Sequence, residues 1–179
     1  MIIKYSATYP LLIEFGSYFT HVGQSGNDEP TKSFRTPNTN IEDKFKYIFY
    51  EILKIDPSEF KVVLVKDTFT PKIVLKEEAD LLFNKFNVKA VSFVNAQVGI
   101  YLSWISKGSE ALIVDIGYSS TKIVSIINGM VQTDFSFKID FSEKDIENYI
   151  IKDLIQNGIN SEIIENNKEE LIPYLIKKI

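Results

Sequence analysis

The chain has 179 residues, of which 45% are hydrophobic and 25% are charged, with a formal net charge of −4 at pH 7. This length and balance fit one folded domain with its own core and argue against a disordered chain. The acidic balance disfavours a partner held through phosphate contacts, so we expect no nucleic-acid partner. There is no cysteine and His21 is the only histidine, which exclude disulfides, a cysteine nucleophile and any site with two histidines.

The first residues contain no long apolar segment, so they do not resemble a signal peptide. The apolar runs elsewhere are shorter than the roughly 20 residues that cross a bilayer. We therefore predict a soluble, intracellular protein with no direct membrane insertion.

The first half of the chain predicts a strand meander followed by a helix. The strands are predicted over 11–15, 18–22 and 31–35, with a glycine-containing turn after the first. Asn40 is the predicted cap of the helix, and the Asp56-Pro57 pair is its predicted end. Its apolar face is predicted to comprise Ile41, Phe45, Ile48, Phe49 and Ile52.

Alternating strands and helices follow. Strands are predicted over 61–65 and 90–94, and helices from the Thr70-Pro71 pair to about 86 and over 96–105. The Thr70 hydroxyl is the predicted cap of the first of these helices, with Pro71 at its first position. Glu77 and Glu78 are expected on a solvated helix face, and Trp104 is expected in the core.

The last third begins with the most apolar strand, over 111–116, and returns over 119–127. The Asn128-Gly129 pair predicts a tight hairpin turn into a strand over 130–137. Ser142 and Asp145 predict a capping box for a helix to about 157, and a final helix is predicted over 161–179. The whole pattern predicts a mixed α/β sheet with helices on both faces.

One pattern occurs twice. Each copy is an apolar strand with one acid, then any residue, then glycine, then a returning strand; the acids are Glu14 and Asp115. Two such hairpins facing one another would form a phosphate clamp, in which backbone N–H groups approach phosphate and the acids hold magnesium through its waters. The alternative is an ordinary hairpin whose acid is only a turn partner.

In their order along the chain, these hairpins and helices resemble the actin, Hsp70 and hexokinase superfamily, and most closely actins and actin-related proteins. Residues 13–30 resemble the first phosphate loop of actin, 50–72 a helix, strand and turn, 82–97 a second such unit, and 113–129 the second phosphate hairpin. The resemblance implies an actin-like (ribonuclease H-like) fold containing the first lobe and the start of the second. It implies subdomain 1 over 1–139 and the opening of subdomain 3 over 140–179, with no room for subdomain 2 near 37–41.

The resemblance also implies a nucleotide site, made of Glu14, Gly16, Ser17, Gln97, Asp115, Gly117 and Tyr118. Asp115 would order a magnesium ion through water. Tyr18 stands where actin has a loop glycine, and His21 where it has a phosphate-binding lysine, so the first loop is degenerate. Phosphoryl transfer depends on positioning and charge. We therefore expect no catalytic residues, no enzyme activity beyond weak ATP hydrolysis and no required cofactor, with weak binding of ATP or ADP and magnesium as the alternative.

Within the actin-related proteins, the shortened subdomain 2 and the segment from Leu64-Val65-Lys66-Asp67 to Phe93-Val94 resemble most closely the pointed-end subunits of dynactin. That likeness implies a cytoplasmic, cytoskeletal structural subunit that caps a short actin-like filament, with other actin-like subunits and dynactin pointed-end proteins as partners. The alternatives are an ATP-binding, weakly hydrolysing actin-related protein of cytoskeletal or chromatin-remodelling type, and an inactive fragment with an exposed apolar face.

Overall fold

The computed structural model describes residues 5–104, 109–164 and 166–167, and the first half of this range forms a five-stranded sheet. Strands β1 and β2 form an antiparallel hairpin, β3 continues it, and β4 and β5 lie parallel to β1 on the other side. The spatial order is β3-β2-β1-β4-β5. The strands are β1 (Leu11–Phe15), β2 (Phe19–Gln24), β3 (Lys32–Arg35), β4 (Lys61–Lys66) and β5 (Ala90–Asn95).

The core of this sheet lies under two helical elements. One is α1 (Ile41–Lys46), which continues as a π-helical segment, Tyr47–Leu53, and the other is α2 (Lys72–Asn84). Alternate strand residues point to one face, so residues two apart on β1 and on β4 enter the same core. The core residues with no more than 1% exposure are Leu11, Ile13, Val22, Phe45, Ile48, Phe49, Val62, Leu64 and Leu82.

The start of the first helix confirms the prediction, and its end does not. The Asn40 side chain accepts a hydrogen bond from the Asp43 amide at 2.9 Å, as an N-cap should. The helix ends at Lys54, which adopts the left-handed conformation at φ 53°. The Asp56-Pro57 pair instead starts a short 3₁₀ turn, because the Asp56 carboxylate accepts the Ser58 amide.

The predicted hydroxyl cap of α2 is wrong. Pro71 itself occupies the N-cap position, and no side chain caps the helix there. The Pro71 carbonyl accepts the first hydrogen bond, from the Val74 amide at 3.0 Å. The helix therefore starts one residue later than the Thr70-Pro71 pattern predicts.

The strands after residue 109 form a separate antiparallel sheet in the order β6-β7-β8. Helix α3 (Ala96–Ser103), capped by Asn95, precedes it and α4 (Glu143–Gln156) follows it. The strands are β6 (Glu110–Ile116), β7 (Thr121–Ile127) and β8 (Met130–Ile139). The sheet thus changes before residue 110, whereas the predicted subdomain boundary follows residue 139; that boundary stays a prediction.

Two local predictions in this half are confirmed. Asn128 and Gly129 both have positive φ, 51° and 77°, which a two-residue hairpin turn of this hand requires. The Ser142 side chain is bonded to the backbone at the third helical position, and the Asp145 carboxylate accepts the Ser142 amide at 2.9 Å. Residues 161–164 and 166–167 are helical, and the rest of the predicted final helix lies outside the described residues.

Two burial predictions are wrong. Glu78 is 5% exposed rather than solvated, and Trp104 is 63% exposed rather than in the core. On β6, the alternate residues Leu112, Val114 and Ile116 are all at least half exposed, so one face of this strand is an uncovered apolar row.

The architecture confirms the predicted fold class, a mixed α/β sheet flanked by helices as in a partial actin-like fold. Across the described residues, none of the helices combines the length and the apolar character needed to cross a membrane.

Candidate functional site

The two predicted hairpins have the same construction. In the first, Glu14 lies directly across from His21; in the second, Asp115 lies directly across from Lys122. Each acid is therefore followed, seven residues later, by a basic residue on the returning strand. The basic residue is a histidine in the first hairpin and a lysine in the second.

Both turns close through their glycines. The Gly16 amide donates to the Phe19 carbonyl at 2.9 Å, and the Gly117 amide donates to the Ser120 carbonyl at 3.0 Å. A Cβ at Gly16 would lie 2.5 Å from that carbonyl oxygen, and one at Gly117 would lie 3.2 Å from its counterpart. The first turn thus requires glycine for a local steric reason, whether or not a phosphate binds, while a Cβ in the second turn would need its neighbour to shift by only a few tenths of an ångström.

The two turns meet through aromatic side chains. The rings of Tyr18 and Tyr118 stack with centroids 4.3 Å apart and planes 27° apart. The Arg35 guanidinium lies 4.6 Å from the centroid of the Tyr18 ring and donates to its hydroxyl at 2.5 Å. The prediction that the hairpins face one another is therefore confirmed, and the stacked tyrosines are what joins them.

Threonine side chains fix the first turn to the end of β3. The Thr36 hydroxyl donates to the Gly16 carbonyl at 2.7 Å and lies 2.9 Å from the buried Thr20 hydroxyl. The Thr36 amide also donates to the Tyr18 carbonyl at 2.8 Å. The backbone on both sides of Ser17 is thereby held in place.

The second turn is fixed to the start of α4 in a comparable way. The buried Thr121 hydroxyl donates to the Phe141 carbonyl at 2.7 Å. The Glu143 amide donates to the Gly117 carbonyl at 3.0 Å. Neither hairpin turn is therefore a free loop.

Gln97 is fully buried and links the two sheets. Its Nε2 donates to Oδ2 of Asp115 at 2.7 Å, while its Oε1 accepts from the Thr68 amide at 3.0 Å and the Thr68 hydroxyl at 2.9 Å. The carboxylate can only accept, so it fixes which end of the amide faces β6. Gln97 thus satisfies backbone and side-chain groups on both sides of the junction between the two sheets, called the cleft below, a structural role that leaves its oxygen occupied.

Asp115 carries a second partner. The Lys122 Nζ lies 3.8 Å from Asp115 Oδ2, and their side chains are 17% and 27% exposed. A partly buried ammonium at this distance offsets the negative charge that would attract a metal ion. Among residues 5–104, 109–164 and 166–167, no three acidic or histidine side chains converge as metal ligands.

The remaining predicted residues lie at the edge of this cleft. Glu14 is half-buried at the end of β1, and Ser17 is exposed in the turn. The His21 Nδ1 lies 2.8 Å from the Ser33 hydroxyl on β3. The structure brings Tyr18 to Tyr118 and Gln97 to Asp115, and nucleotide binding at these residues stays a prediction.

Sequence reasoning missed Lys122 and Arg35. Lys122 could have been found from the pattern itself, since it follows Asp115 by the same interval that separates His21 from Glu14. Arg35 had no such signal, because only the folded meander brings β3 beside the first turn.

Comparison with known proteins agrees with this architecture. The family model described as Actin matches residues 38–173, which include Gln97 and the second hairpin. The chain is 26% identical over 120 residues to actin-related protein 2 of Acanthamoeba castellanii, covering 66% of this chain and 30% of that protein. It is 25% identical over 128 residues to actin-related protein 10 of Dictyostelium discoideum, covering 72% and 26%.

A third relative, actin-like protein 7A of Rattus norvegicus, is 26% identical over 112 residues, covering 62% of this chain and 25% of that protein. The chain therefore spans less than a third of the length of these curated relatives. The Actin model covers well over half of the chain, and the predicted resemblance is confirmed at this level: the chain belongs to the actin family.

Proposed function

We propose that this chain is a non-catalytic structural subunit that caps or stabilises the pointed end of a short actin-like filament, in an assembly of the dynactin type. The observation that carries the proposal is the connection between β3 and α1, which is only residues 36–40. The outer insertion of actin would branch from this connection. A subunit without it lacks much of the surface that receives a further subunit at that end, so growth stops there.

Proteins of the actin family typically bind ATP or ADP with magnesium. Here the groups that would face the phosphates are engaged with one another, namely Tyr18 with Tyr118 and Asp115 with Lys122. This favours a subunit that acts by assembly rather than by turnover. Its partners would be other actin-like subunits and dynactin pointed-end proteins, in the cytoplasm and cytoskeleton.

The proposal is tested by recovering the tagged chain from its own cells and identifying the bound proteins by mass spectrometry. The expected result is recovery of actin-like subunits together with pointed-end components of dynactin. A matched bait in which the 36–40 connection is lengthened by a flexible insert keeps the fold and tests whether the short connection matters. Recovery of chromatin factors, or of no actin-like chain, would contradict the proposal.

A second candidate is an ATP-binding, weakly hydrolysing actin-related protein. The observation that favours it is the 2.7 Å hydrogen bond between Gln97 and Asp115. This bond places a glutamine beside the aspartate that would order a magnesium ion. It predicts magnesium-dependent ATP binding by the purified chain that is lost in both Asp115→Asn and Glu14→Gln. Binding that is absent, or unchanged in these variants, would contradict it.

A further inference from the structure

We propose that the Tyr18–Tyr118 stack is an internal clasp that closes the cleft between the two hairpins, and that Lys122 takes the place of a cation beside Asp115, so that the two sheets stay together without nucleotide or magnesium. This inference goes beyond the proposed function, because it concerns how the cleft is closed whatever the chain assembles with. It rests on an aromatic contact, on a charge and on the repeated construction of the hairpins.

The aromatic contact crosses from one sheet to the other. Tyr18 belongs to the turn of the first sheet and Tyr118 to the turn of the second, and no strand pairing joins these sheets. Stacked rings are worth more than their buried area alone, and Phe19 packs edge-on against the Tyr18 ring at 4.9 Å. The Arg35 guanidinium makes a cation–π contact with the face of the same ring. The stack therefore has the support on the first sheet that a structural contact needs.

The charge lies on the second hairpin. Lys122 is directly across from Asp115, just as His21 is directly across from Glu14 in the first hairpin. A lysine is charged at neutral pH, whereas an ordinary histidine is mostly neutral there. The Lys122 ammonium thus supplies a positive charge beside Asp115, where a bound metal ion would otherwise balance the carboxylate.

These residues do not fit a magnesium–phosphate group as they stand. The Gly16 and Gly117 amides are used in closing their own turns, so a phosphate held by both turns would have to contact other backbone N–H groups. The stacked rings join the two turns where such a group would bridge them. A magnesium ion near Asp115 would also meet the like charge of Lys122.

The first measurement compares thermal unfolding of the full chain with excess magnesium and ATP and with EDTA. A ligand that binds only the folded state raises Tm, by an amount that grows with the logarithm of one plus the ratio of ligand concentration to Kd. We expect the two Tm values to agree within about 1 °C. A rise of several degrees with magnesium and ATP would overturn the clasp.

The second measurement is a double-mutant cycle on the stack. Tyr18→Ala and Tyr118→Ala should each lower Tm by about 2–4 °C, and the double variant should lower it by little more than either. Tyr149→Ala, at a tyrosine on α4 that is 72% exposed, is the matched control and should change Tm little. Full additivity between Tyr18 and Tyr118 would show that the stack does not hold the sheets and would overturn the proposal.

The third measurement removes the charge. In Lys122→Met, Asp115 loses its ammonium, so magnesium together with ATP, whose phosphates supply further ligands, should now raise Tm by about 2 °C or more. Lys61→Met, at an exposed lysine on β4, should stay indifferent to magnesium. Indifference of Lys122→Met itself would overturn the role of Lys122.

If Lys122→Met does not fold, cross-linking between the two turns tests instead whether they lie close together. The chain has no cysteine, so Ser17→Cys with Ser119→Cys, at exposed turn positions beside the two tyrosines, gives a single pair for a short thiol cross-linker and leaves the stack in place. Rapid cross-linking in EDTA that ATP and magnesium do not change supports closure without nucleotide. Cross-linking that appears only with ATP and magnesium overturns it.

Discussion

Lys66 and Glu78 form an ion pair that is almost removed from solvent. The Lys66 Nζ at the end of β4 lies 2.6 Å from Glu78 Oε1 on α2, with side chains 13% and 6% exposed. The Lys66 ammonium also lies 5.5 Å from the centroid of the Phe15 ring, next to the first turn. The second Glu78 oxygen is buried without a hydrogen-bond partner. The pair therefore ties α2 to the strand ends beneath the candidate site.

Breaking this pair on one side should destabilise the chain strongly. Lys66→Met leaves the Glu78 charge buried without a partner, which typically costs about 3–5 kcal/mol of unfolding free energy. Denaturant unfolding measures the loss, and Glu77→Gln at the exposed neighbouring position is the control, expected within about 0.5 kcal/mol of the parent. Lys66→Met combined with Glu78→Leu should recover much of the stability. A single variant as stable as the parent would mean that the pair is solvated in solution.

The bond between Gln97 and Asp115 predicts a variant whose stability depends on pH. Gln97→Glu replaces a donor by a carboxylate in a fully buried position beside a second carboxylate. The loss should be about 3–5 kcal/mol near neutral pH and smaller in acid, because protonation of one acid removes the repulsion and restores a donor. The control is Gln97→Met, whose loss should stay nearly constant over the same range. Parallel pH profiles for the two variants would contradict the inter-sheet bond.

The first turn predicts a large difference between two glycine substitutions. Gly16→Ala places a Cβ 2.5 Å from the Phe19 carbonyl oxygen, so backbone must move and the loss should be about 1–3 kcal/mol. Gly99→Ala meets no atom within 4 Å in helix α3 and should be neutral or stabilising by about 0.5–1 kcal/mol. Chemical denaturation of both variants gives the comparison. Equal effects would show that the first turn relaxes freely.

Glu42 predicts a contribution that acid removes. Hydrogen bonds from Lys46 and Lys85 hold the pKa of the Glu42 carboxyl below its ordinary value of 4.5. A lowered pKa in the folded state means that the contribution is present above this ordinary value and is lost as the pH falls through the lowered one. The stability difference between the parent and Glu42→Gln should therefore be full at neutral pH and shrink as the pH falls below 4.5 and on through the lowered pKa.

Reversing the two departures in the first turn should recover nucleotide binding if the site has decayed. Tyr18→Gly removes one ring of the stack, and His21→Lys supplies a permanent positive charge on the first hairpin. The double variant should bind ATP with magnesium at least about tenfold more tightly than the parent, a gain of about 1.4 kcal/mol, by titration calorimetry. Adding Asp115→Asn should abolish the gain. No gain in the double variant would mean that the cleft has lost more than these two side chains.

The features that could be predicted are those set by neighbouring residues. The Asn128-Gly129 turn, the Asn40 cap and the Ser142 capping box follow from backbone preferences within four positions, and all three are present. The succession of strands and helices along the chain, and the resemblance to actins, follow from the same local patterns.

The contacts that define the site could not be predicted this way. Tyr18 and Tyr118 lie far apart in the sequence, and nothing local to either indicates a stack. Glu78 is a charged residue of the kind usually found at the surface. It is buried here because Lys66, on another element, pairs with it. Trp104 is a large apolar residue of the kind usually found in a core, yet it is exposed. Burial depends on which elements pack over a residue and not only on its own polarity.

The apolar row on β6 has a practical consequence for every experiment above. Leu112, Val114 and Ile116 lie on an edge strand, whose unpaired backbone groups can accept a strand from another molecule. Self-association through this edge, or through the exposed apolar face, would stabilise the folded chain by mass action. Unfolding curves should therefore be recorded over a range of protein concentrations, and the dilute limit gives the stability of the single chain.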